Sequence, residues 1–262
     1  MIKRYYELFR QEMIMLVQSR LRYKVGLISD LILIVGTFIL AYYFKNNASL
    51  TNYYGVNVNQ SNYLFYLGFV FWQFGSLALG FSASMITNYS STGLLELHTQ
   101  GFCSMSLLYF FQLIVNIITD CIIIICISLF MFIMIDFNLR EFAYLFYAII
   151  GNIPNIVGMY GIGLIVSAIT LREKRISQFI IIFQVMLMFL TNVFSPINNS
   201  IIYLIPFTAG IELLRNLYVG NGFSLDLFIV YLLVNLLWIV MGNLIFRKAL
   251  LRERKYGSFS TY

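Results

Sequence analysis

Residues 107–135 read LLYFFQLIVNIITDCIIIICISLFMFIMI, an apolar stretch in which Asp120 is the one charged side chain. A helix of about 20 residues crosses a hydrocarbon core about 30 Å thick, because each residue adds about 1.5 Å. Other stretches have the same character, and they are continuous where the strands of a membrane barrel would alternate. We therefore predict membrane-spanning helices over residues 25–44, 63–87, 107–135, 143–170, 177–197 and 225–246.

The composition agrees with an all-α membrane protein. Of the 262 residues, 60% are hydrophobic and 11% are charged, and the mean hydropathy is +0.83. Soluble domains carry about 25% charged residues, so a soluble fold could not bury this much apolar surface. A backbone exposed to lipid must satisfy its own hydrogen bonds, which favours helices. We predict a single transmembrane domain over residues 1–262.

The positive charges are concentrated at the two ends of the chain and in one inner loop. The three groups are Lys3, Arg4, Arg10, Arg20, Arg22 and Lys24; Arg172, Lys174 and Arg175; and Arg247, Lys248, Arg252, Arg254 and Lys255. Cytoplasmic loops are enriched in Lys and Arg, so the pattern predicts a multi-pass protein with both termini in the cytoplasm. The net charge of +6 thus indicates orientation, not nucleic-acid binding. The connection 88–106 has no Lys or Arg, so only the alternation of spans places it inside.

Three segments outside the spans also have a pattern. In residues 1–24, apolar residues recur at steps of three and four, which predicts an amphipathic helix in the cytoplasmic interface; a short basic cap is the alternative. Residues 198–224 are too apolar for a free loop but are broken by Pro206 and by glycines. We predict short helices there that dip partway into the outer leaflet. Residues 45–62 are polar and predict an outer loop.

The sequence excludes most catalytic chemistry in this chain. None of the 17 glycines precedes a lysine, so the phosphate-binding motif GxxxxGK[ST] is absent and the chain does not hydrolyse ATP by itself. His98 is the only histidine, which excludes zinc sites built from several histidines, and we interpret it as a polar loop residue. The three cysteines are an odd number, so structural disulfides are not expected. We predict neither an enzyme nor a metal or cofactor in this chain.

Polar side chains inside the spans are the candidates for a transport pathway. Asp120 and Asn116 lie one turn apart in the third span, and a charge at mid-bilayer costs about 2.5–3.5 kcal/mol unless it faces protein or water. Such a stripe is typical either of a pathway or of polar contacts between helices. Asn155 lies in a face of small residues in the fourth span, which fits either close helix packing or a flexible pathway wall.

Several short motifs, in their order and spacing, resemble those of one family. They are TGLLEL at 92–97, SAITLR at 167–172, FSPI at 194–197, IPFT at 205–208, IELLR at 211–215 and RERKYGS at 252–258. Over essentially its whole length the chain resembles the type-2 ABC exporter permeases, the membrane subunits of ATP-binding-cassette exporters, and its tail is similar to that of the drug-resistance and nodulation branch. The resemblance implies paired six-helix subunits, an N-terminal interfacial helix, a coupling helix between spans two and three, and re-entrant helices before span six.

The resemblance also implies a coupling segment that receives the motion of an ATPase. This segment contains Thr92, Gly93, Leu94, Glu96 and His98. We expect Leu94, Leu95 and Leu97 to hold it to the membrane domain, while Glu96 and Gln100 contact a partner. The family often has a proline after this glutamate, whereas this chain has GFCS at 101–104.

By the same resemblance, Pro196, Pro206, Glu212 and Arg215 belong to an outer region that helps to close the exit. Glu212 and Arg215 are three residues apart and could pair on one helix, or form a solvated helix face.

The implied function is that of the permease subunit of an ATP-driven exporter in a bacterial plasma membrane. It would move an amphipathic substrate, such as a drug, an antimicrobial peptide or a lipid-like molecule, out of the cytoplasm or the inner leaflet. The implied partners are two cytoplasmic ABC ATPase subunits, which would bind ATP and Mg, and a second copy of this permease or a paralogous permease. One alternative is an ion- or proton-coupled transporter in which Asp120 titrates, and another is a membrane sensor or assembly subunit without transport.

Overall fold

The computed structural model describes residues 2–100, 103–134, 139–173, 176–197 and 199–256. These residues form ten α-helices and one 3₁₀ helix, Ser200–Leu204, with no strand among them. The helices are α1 Ile2–Arg22, α2 Lys24–Phe44, α3 Asn47–Tyr54, α4 Val58–Ser91, α5 Leu95–Gln100, α6 Met105–Met134, α7 Leu139–Glu173, α8 Ser177–Leu190, α9 Thr208–Val219 and α10 Leu225–Tyr256. The all-α prediction is confirmed for the described part of the chain.

Five of these helices, α2, α4, α6, α7 and α10, are long and apolar enough to cross a membrane, and each lies at a predicted span. The span predicted over 177–197 differs, because α8 ends at Leu190. Its 14 residues reach only about 21 Å, which is less than the hydrocarbon core of about 30 Å. The helix stops where Thr191 becomes extended, with ψ of 176°, and a turn follows.

The centre of the fold is α4, whose residues from Ser61 to Gly75 are all buried. One face of α7 packs on α4 and another on α10. Glycines permit both contacts: a Cβ atom added to Gly163 would lie 2.6 Å from the carbonyl oxygen of Leu79, and one added to Gly242 would lie 2.0 Å from that of Gly161. The small-residue face of α7 is therefore a close-packing face, as one of the two sequence interpretations proposed.

The N-terminal helices lie at the periphery. The ring of Phe9 on α1 meets that of Phe111 on α6 edge to face, with centroids 5.3 Å apart. Other apolar side chains of α1, among them Tyr6 and Met15, stay exposed. In α2 only Ile34, Phe38 and Ala41 are buried. Both helices thus leave apolar surface uncovered by the described residues.

The segment predicted as a polar outer loop contains a helix, α3. The Asn46 side chain caps it by accepting a bond from the Ser49 amide at 3.2 Å, and Gly55, with φ of 64°, ends it. Asn57 and Gln60 then form a capping box at the start of α4. Asn and Gly are turn formers in sequence, and here they serve as helix caps, which is why the loop interpretation missed α3.

Parts of the sequence interpretation fall outside the described residues: Lys174 and Arg175 of the basic loop, residues 101–102, and residues 257–262 of the tail. The predicted tail 247–262 begins as helix, because α10 continues to Tyr256. This helix therefore extends past the apolar residues and carries cations on its last turn.

Candidate functional site

The predicted coupling segment is a tight turn followed by the short helix α5. The Thr92 hydroxyl donates to carbonyl oxygens of the last turn of α4. Gly93 has φ of +71°, a left-handed conformation that suits glycine, and the Leu94 amide closes the turn by donating to the Tyr89 carbonyl at 2.9 Å. These bonds fix the direction in which α5 leaves α4.

Only one leucine of this segment holds it to the membrane domain. Leu95 is 4% exposed, whereas Leu94 is 42% exposed and Leu97 is 64% exposed. The expectation that all three anchor the segment was wrong, because successive residues of a helix are rotated by about 100° and Leu97 faces away from Leu95. Glu96 is also exposed, as expected. We call Leu94, Glu96 and Leu97 the exposed α5 surface.

His98 is a packed helix residue, and the interpretation of it as a plain loop residue was wrong. Its imidazole lies 4.0 Å, centroid to centroid, from the ring of Tyr89 at the end of α4, with an interplanar angle of 32°. Burial lowers the pKa of His98, and the negative charge of Glu12 on α1 opposes that shift. The balance favours the neutral imidazole.

A hydrogen-bond chain extends this contact to α1 and α6. The side-chain amide of Gln112 on α6 donates to the Glu12 carboxylate at 2.9 Å and to the Tyr89 hydroxyl at 3.1 Å. We call Glu12, Tyr89, His98 and Gln112 the α5 cluster. It joins α1, α4, α5 and α6 at one point, so a displacement of α5 meets resistance from the other three helices.

Sequence reasoning missed Glu12, Tyr89 and Gln112. They lie on three different helices, α1, α4 and α6, and nothing in the spacing shows that they meet. A weak signal existed, since Gln112 is a large polar residue near the start of an apolar span, and such residues usually have a partner.

In the outer region, Arg215 is 0% exposed and binds backbone carbonyl groups. Its guanidinium donates to the carbonyl oxygens of Leu64 at 2.9 Å, Asn192 at 2.6 Å and Val193 at 2.8 Å. Gly68 makes room for it, since a Cβ atom there would lie 2.6 Å from Nη2. Arg215 thus ties α9 to α4 and to the turn after α8.

The other outer residues brace the same region. Glu212 accepts a bond from the Tyr203 hydroxyl at 2.6 Å, and its charge also acts on the Arg215 guanidinium. The Pro206 carbonyl accepts from the Asn235 side chain on α10 at 3.1 Å. Pro196 lies, half-buried, in the turn after α8. The structure therefore gathers Pro206, Glu212 and Arg215 into one braced region around α9.

The candidate pathway residues do not form one site. Asp120 and Asn116 are buried on α6, and the Gln73 amide of α4 lies 3.4 Å from the Asp120 carboxylate. Asn155 on α7 donates to the Phe71 carbonyl at 2.9 Å. Residues 71 and 73 point to nearly opposite sides of α4, so this helix separates Asn155 from Asp120.

No group of three His, Cys, Asp or Glu side chains suited to a metal ion occurs among the residues that the structure describes. The described residues form an exposed surface on a short helix that is joined to long apolar helices, and a braced region at the other end of the bundle. Such an arrangement is suited to transmitting motion.

Long apolar helices packed around α4, with short helices at their ends, define a multi-pass α-helical membrane protein. The sequence model described as "ABC-2 type transporter" matches residues 5–219. The chain belongs to this family, and the part matched runs from α1 to the end of α9. No curated protein and no solved structure matches the chain significantly.

Family membership settles the general role. The chain is the membrane permease component of an ABC-2 type transporter, and this membrane domain has no ATPase activity itself. ABC-2 permeases generally pair with ABC ATPase subunits, and the family typically lacks cofactors. The resemblance to the ABC-2 family on which the sequence interpretation relied is confirmed.

Proposed function

We propose that this chain is the membrane subunit of an ATP-driven exporter and that the exposed α5 surface docks on a cytoplasmic ABC ATPase. The observation that supports the proposal most is the exposure of Leu94 and Leu97 beside Glu96, on a segment whose one buried leucine is Leu95. Apolar side chains next to a charge, at the tip of a short helix, are suited to a protein partner.

The α5 cluster supplies the connection that an exporter needs. A push on α5 reaches α4 through the His98–Tyr89 ring contact, and it reaches α6 and α1 through Gln112 and Glu12. ATP binding can shift the permease between two states only if those states differ in their affinity for the ATPase dimer. A helix that packs on α4 and is connected through Tyr89 and Gln112 to α6 and α1 transmits that difference to the spans.

In this proposal α8 and the turn after it form the sixth crossing, while the 3₁₀ helix and α9 form a re-entrant exit region that Arg215 closes. Two permease copies enclose the path, and the basic end of the bundle faces the cytoplasm of a bacterial cell. The similarity of the tail to that of the drug-resistance and nodulation branch favours an amphipathic substrate, such as a drug, an antimicrobial peptide or a lipid-like molecule.

The test is co-purification with a cytosolic ABC ATPase expressed from the same cells. Leu97→Asp and Glu96→Lys should each reduce the ATPase recovered with the tagged permease by about tenfold or more, because both changes alter the exposed α5 surface. Asp226→Lys is the matched control, since it reverses an exposed charge at the opposite end of the bundle. Recovery that is unchanged in both α5 variants would contradict the proposal.

The buried Asp120 beside Gln73 supports a second candidate, a proton-coupled transporter in which this acid titrates. Collapsing the proton gradient while ATP is maintained would then stop transport, whereas the exporter proposal expects transport to continue. Partner-dependent ATPase activity without movement of any substrate would instead indicate a sensor or assembly subunit.

A further inference from the structure

Two neighbouring cavities lie between α6 and α10 at the basic end of the bundle. The cavity nearer the helix ends has a volume of about 410 Å³ and is lined by Thr99, Ser104 and, on α10, Arg247 and Arg254. The cavity deeper in the bundle has a volume of about 440 Å³. Its apolar lining consists of Leu107, Phe110, Val157, Leu164 and Ile239. Ser104 and Ser106 line both cavities, so together they form one groove.

A polar bridge stands where the two cavities meet. The Ser106 hydroxyl lies 3.1 Å from the Asn243 side-chain oxygen, joining α6 to α10, and the Tyr160 hydroxyl donates to the Ser106 carbonyl. Below this bridge the groove carries hydroxyl groups and two cations among apolar side chains, and above it most of the lining is apolar and none of it is charged. The groove is therefore more polar at one end and more apolar at the other, as an amphiphilic ligand is.

The charged residues of the lower cavity, which is the one nearer the helix ends, are all positive. Among the described residues that line the lower cavity, Arg247 and Arg254 are charged and none is acidic. Arg254 donates one bond to the Thr99 carbonyl, which leaves its other N–H groups for a ligand. Two guanidinium groups beside serine and threonine hydroxyls suit a phosphate group.

The depth of the groove also fits a lipid. The 32 residues of α10 reach about 48 Å, more than the hydrocarbon thickness of about 30 Å. Arg247 lies about 33 Å along this helix from Leu225, at the level expected for headgroups, and Ile239 lies about 12 Å deeper. A phosphate between the two arginines would place an acyl chain in the apolar cavity.

We propose that this groove binds an anionic phospholipid from the leaflet at the basic end of the bundle. The phosphate contacts Arg247 and Arg254, and one acyl chain occupies the cavity between Phe110 and Ile239. The site is separate from the exposed α5 surface and from Asp120, and it does not depend on the identity of the transported substrate.

Native mass spectrometry of the purified full-length chain in detergent tests the proposal, with phosphatidylglycerol, phosphatidylcholine of the same acyl chains and inorganic phosphate as probes. We expect one phosphatidylglycerol to bind at least about tenfold more tightly than phosphatidylcholine. The double variant Arg247→Gln/Arg254→Gln should lose that preference, since each cation near an anionic headgroup contributes about fivefold to affinity.

The chain offers a matched control, Lys248→Gln/Lys255→Gln. These lysines are exposed, have the same seven-residue spacing on α10 and do not line the groove. Binding in this control should stay within about twofold of the unchanged chain. Val157→Phe, which fills the upper cavity, should weaken long-chain phosphatidylglycerol and leave its dihexanoyl form unaffected.

Other outcomes overturn the proposal. Equal losses in both double variants would show attraction by the general positive charge, and equal binding of phosphatidylcholine would show a merely apolar groove. Full competition by inorganic phosphate would show a site for free anions. Binding that appears only after truncation at Tyr256 would assign the groove to residues 257–262, and lipid release on dimer formation would assign it to a second copy.

Discussion

The imidazole of His98 on α5 lies against the phenol ring of Tyr89 on α4, with the ring centroids 4.0 Å apart. This contact joins the short helix that carries the exposed α5 surface to the helix at the centre of the fold. Aromatic pairs of this kind contribute about 0.5–1.5 kcal/mol beyond the area that they bury. The contact is therefore strong enough to hold a short helix in place and weak enough to yield to a partner.

Tyr89→Ala should loosen α5. Without the ring, His98 loses its packing partner, and amide hydrogen exchange over residues 95–100 should rise by about threefold to tenfold. Tyr89→Phe is the control, because it keeps the ring contact and removes only the hydroxyl bonded to Gln112. If the two variants exchange alike at α5, the ring contact does not hold the helix.

The packing of α5 should depend on pH through His98. Its pKa in the folded protein is lowered from the ordinary value of 6.5, chiefly by burial, so the unfolded chain binds the proton more readily. The contribution of the neutral ring is complete above pH 6.5 and is lost as the pH falls toward the lowered pKa. Hydrogen exchange at residues 95–100, corrected for intrinsic rates, should be faster at pH 5.5 than at pH 7.5.

His98→Phe separates this titration from other effects of acid. The phenyl ring can stack on Tyr89 but binds no proton, so the pH dependence at α5 should disappear. A His98→Phe protein that loosens at pH 5.5 as the unchanged chain does would assign the effect to another group.

The buried Arg215 should be essential for stability. Arg215→Met leaves the carbonyl groups of Leu64, Asn192 and Val193 without this donor, and hydrogen bonds to charged groups contribute about 1.5–3 kcal/mol each. We expect a loss of at least about 3 kcal/mol, which lowers the Tm in detergent by about 6 °C or more.

Arg140→Met is the comparison for Arg215. Arg140 is exposed and donates to a single carbonyl, that of Tyr218, at 3.1 Å. Its loss should change the Tm by no more than about 2–3 °C. Equal effects of the two substitutions would contradict the bracing role of Arg215.

Much of the fold follows from the sequence because an apolar run long enough to span a bilayer has few alternatives to a helix. This argument located α2, α4, α6, α7 and α10. It failed for α8, since the hydropathy of residues 191–197 does not show that the backbone turns at Thr191. It also missed α3, where residues typical of turns act as caps.

The candidate site was less predictable, because it depends on contacts between distant helices. The sequence predicts that Arg215 is a cation on the outer side, but it does not show that the carbonyls of residues 64, 192 and 193 converge on it. In the same way, the motif around Glu96 predicted the position of α5, whereas the hydrogen bond between Gln112 and Glu12 could be seen only in the structure.

The contact between α7 and α10 should not tolerate a side chain at Gly242. A Cβ atom there would lie 2.0 Å from the Gly161 carbonyl oxygen, so Gly242→Ala must push the helices apart. Overpacking of this kind typically costs about 1–3 kcal/mol, and we expect the Tm to fall by about 2–10 °C.

Gly36→Ala on α2 is the control, because nothing lies within 4 Å of the added atom. Alanine is the better helix former, so this variant should be unchanged or slightly more stable. A fall in Tm for Gly36→Ala as large as that for Gly242→Ala would contradict the assignment.

Lys45 should react with amine reagents at unusually low pH. Its ammonium lies 3.1 Å from the centroid of the Tyr42 ring and donates to the Asn62 side chain. Burial lowers the pKa of Lys45 from 10.5 to about 8, so about half of the side chains are neutral at pH 8, against under about 1% for an ordinary lysine. Acylation of Lys45, followed by mass spectrometry of its peptide from pH 6 to 11, should have a midpoint near pH 8.

The same reaction tests the proposed orientation, because Lys45 and Lys248 lie at opposite ends of the bundle. In intact cells, a reagent that does not cross membranes should label Lys45 at pH 8 and leave Lys248 unmodified, while both should react after the membrane is opened. Lys45→Arg removes the first signal and verifies its assignment. Labelling of Lys248 but not Lys45 in intact cells would reverse the orientation and would place the exposed α5 surface outside the cell, where no ATPase could reach it.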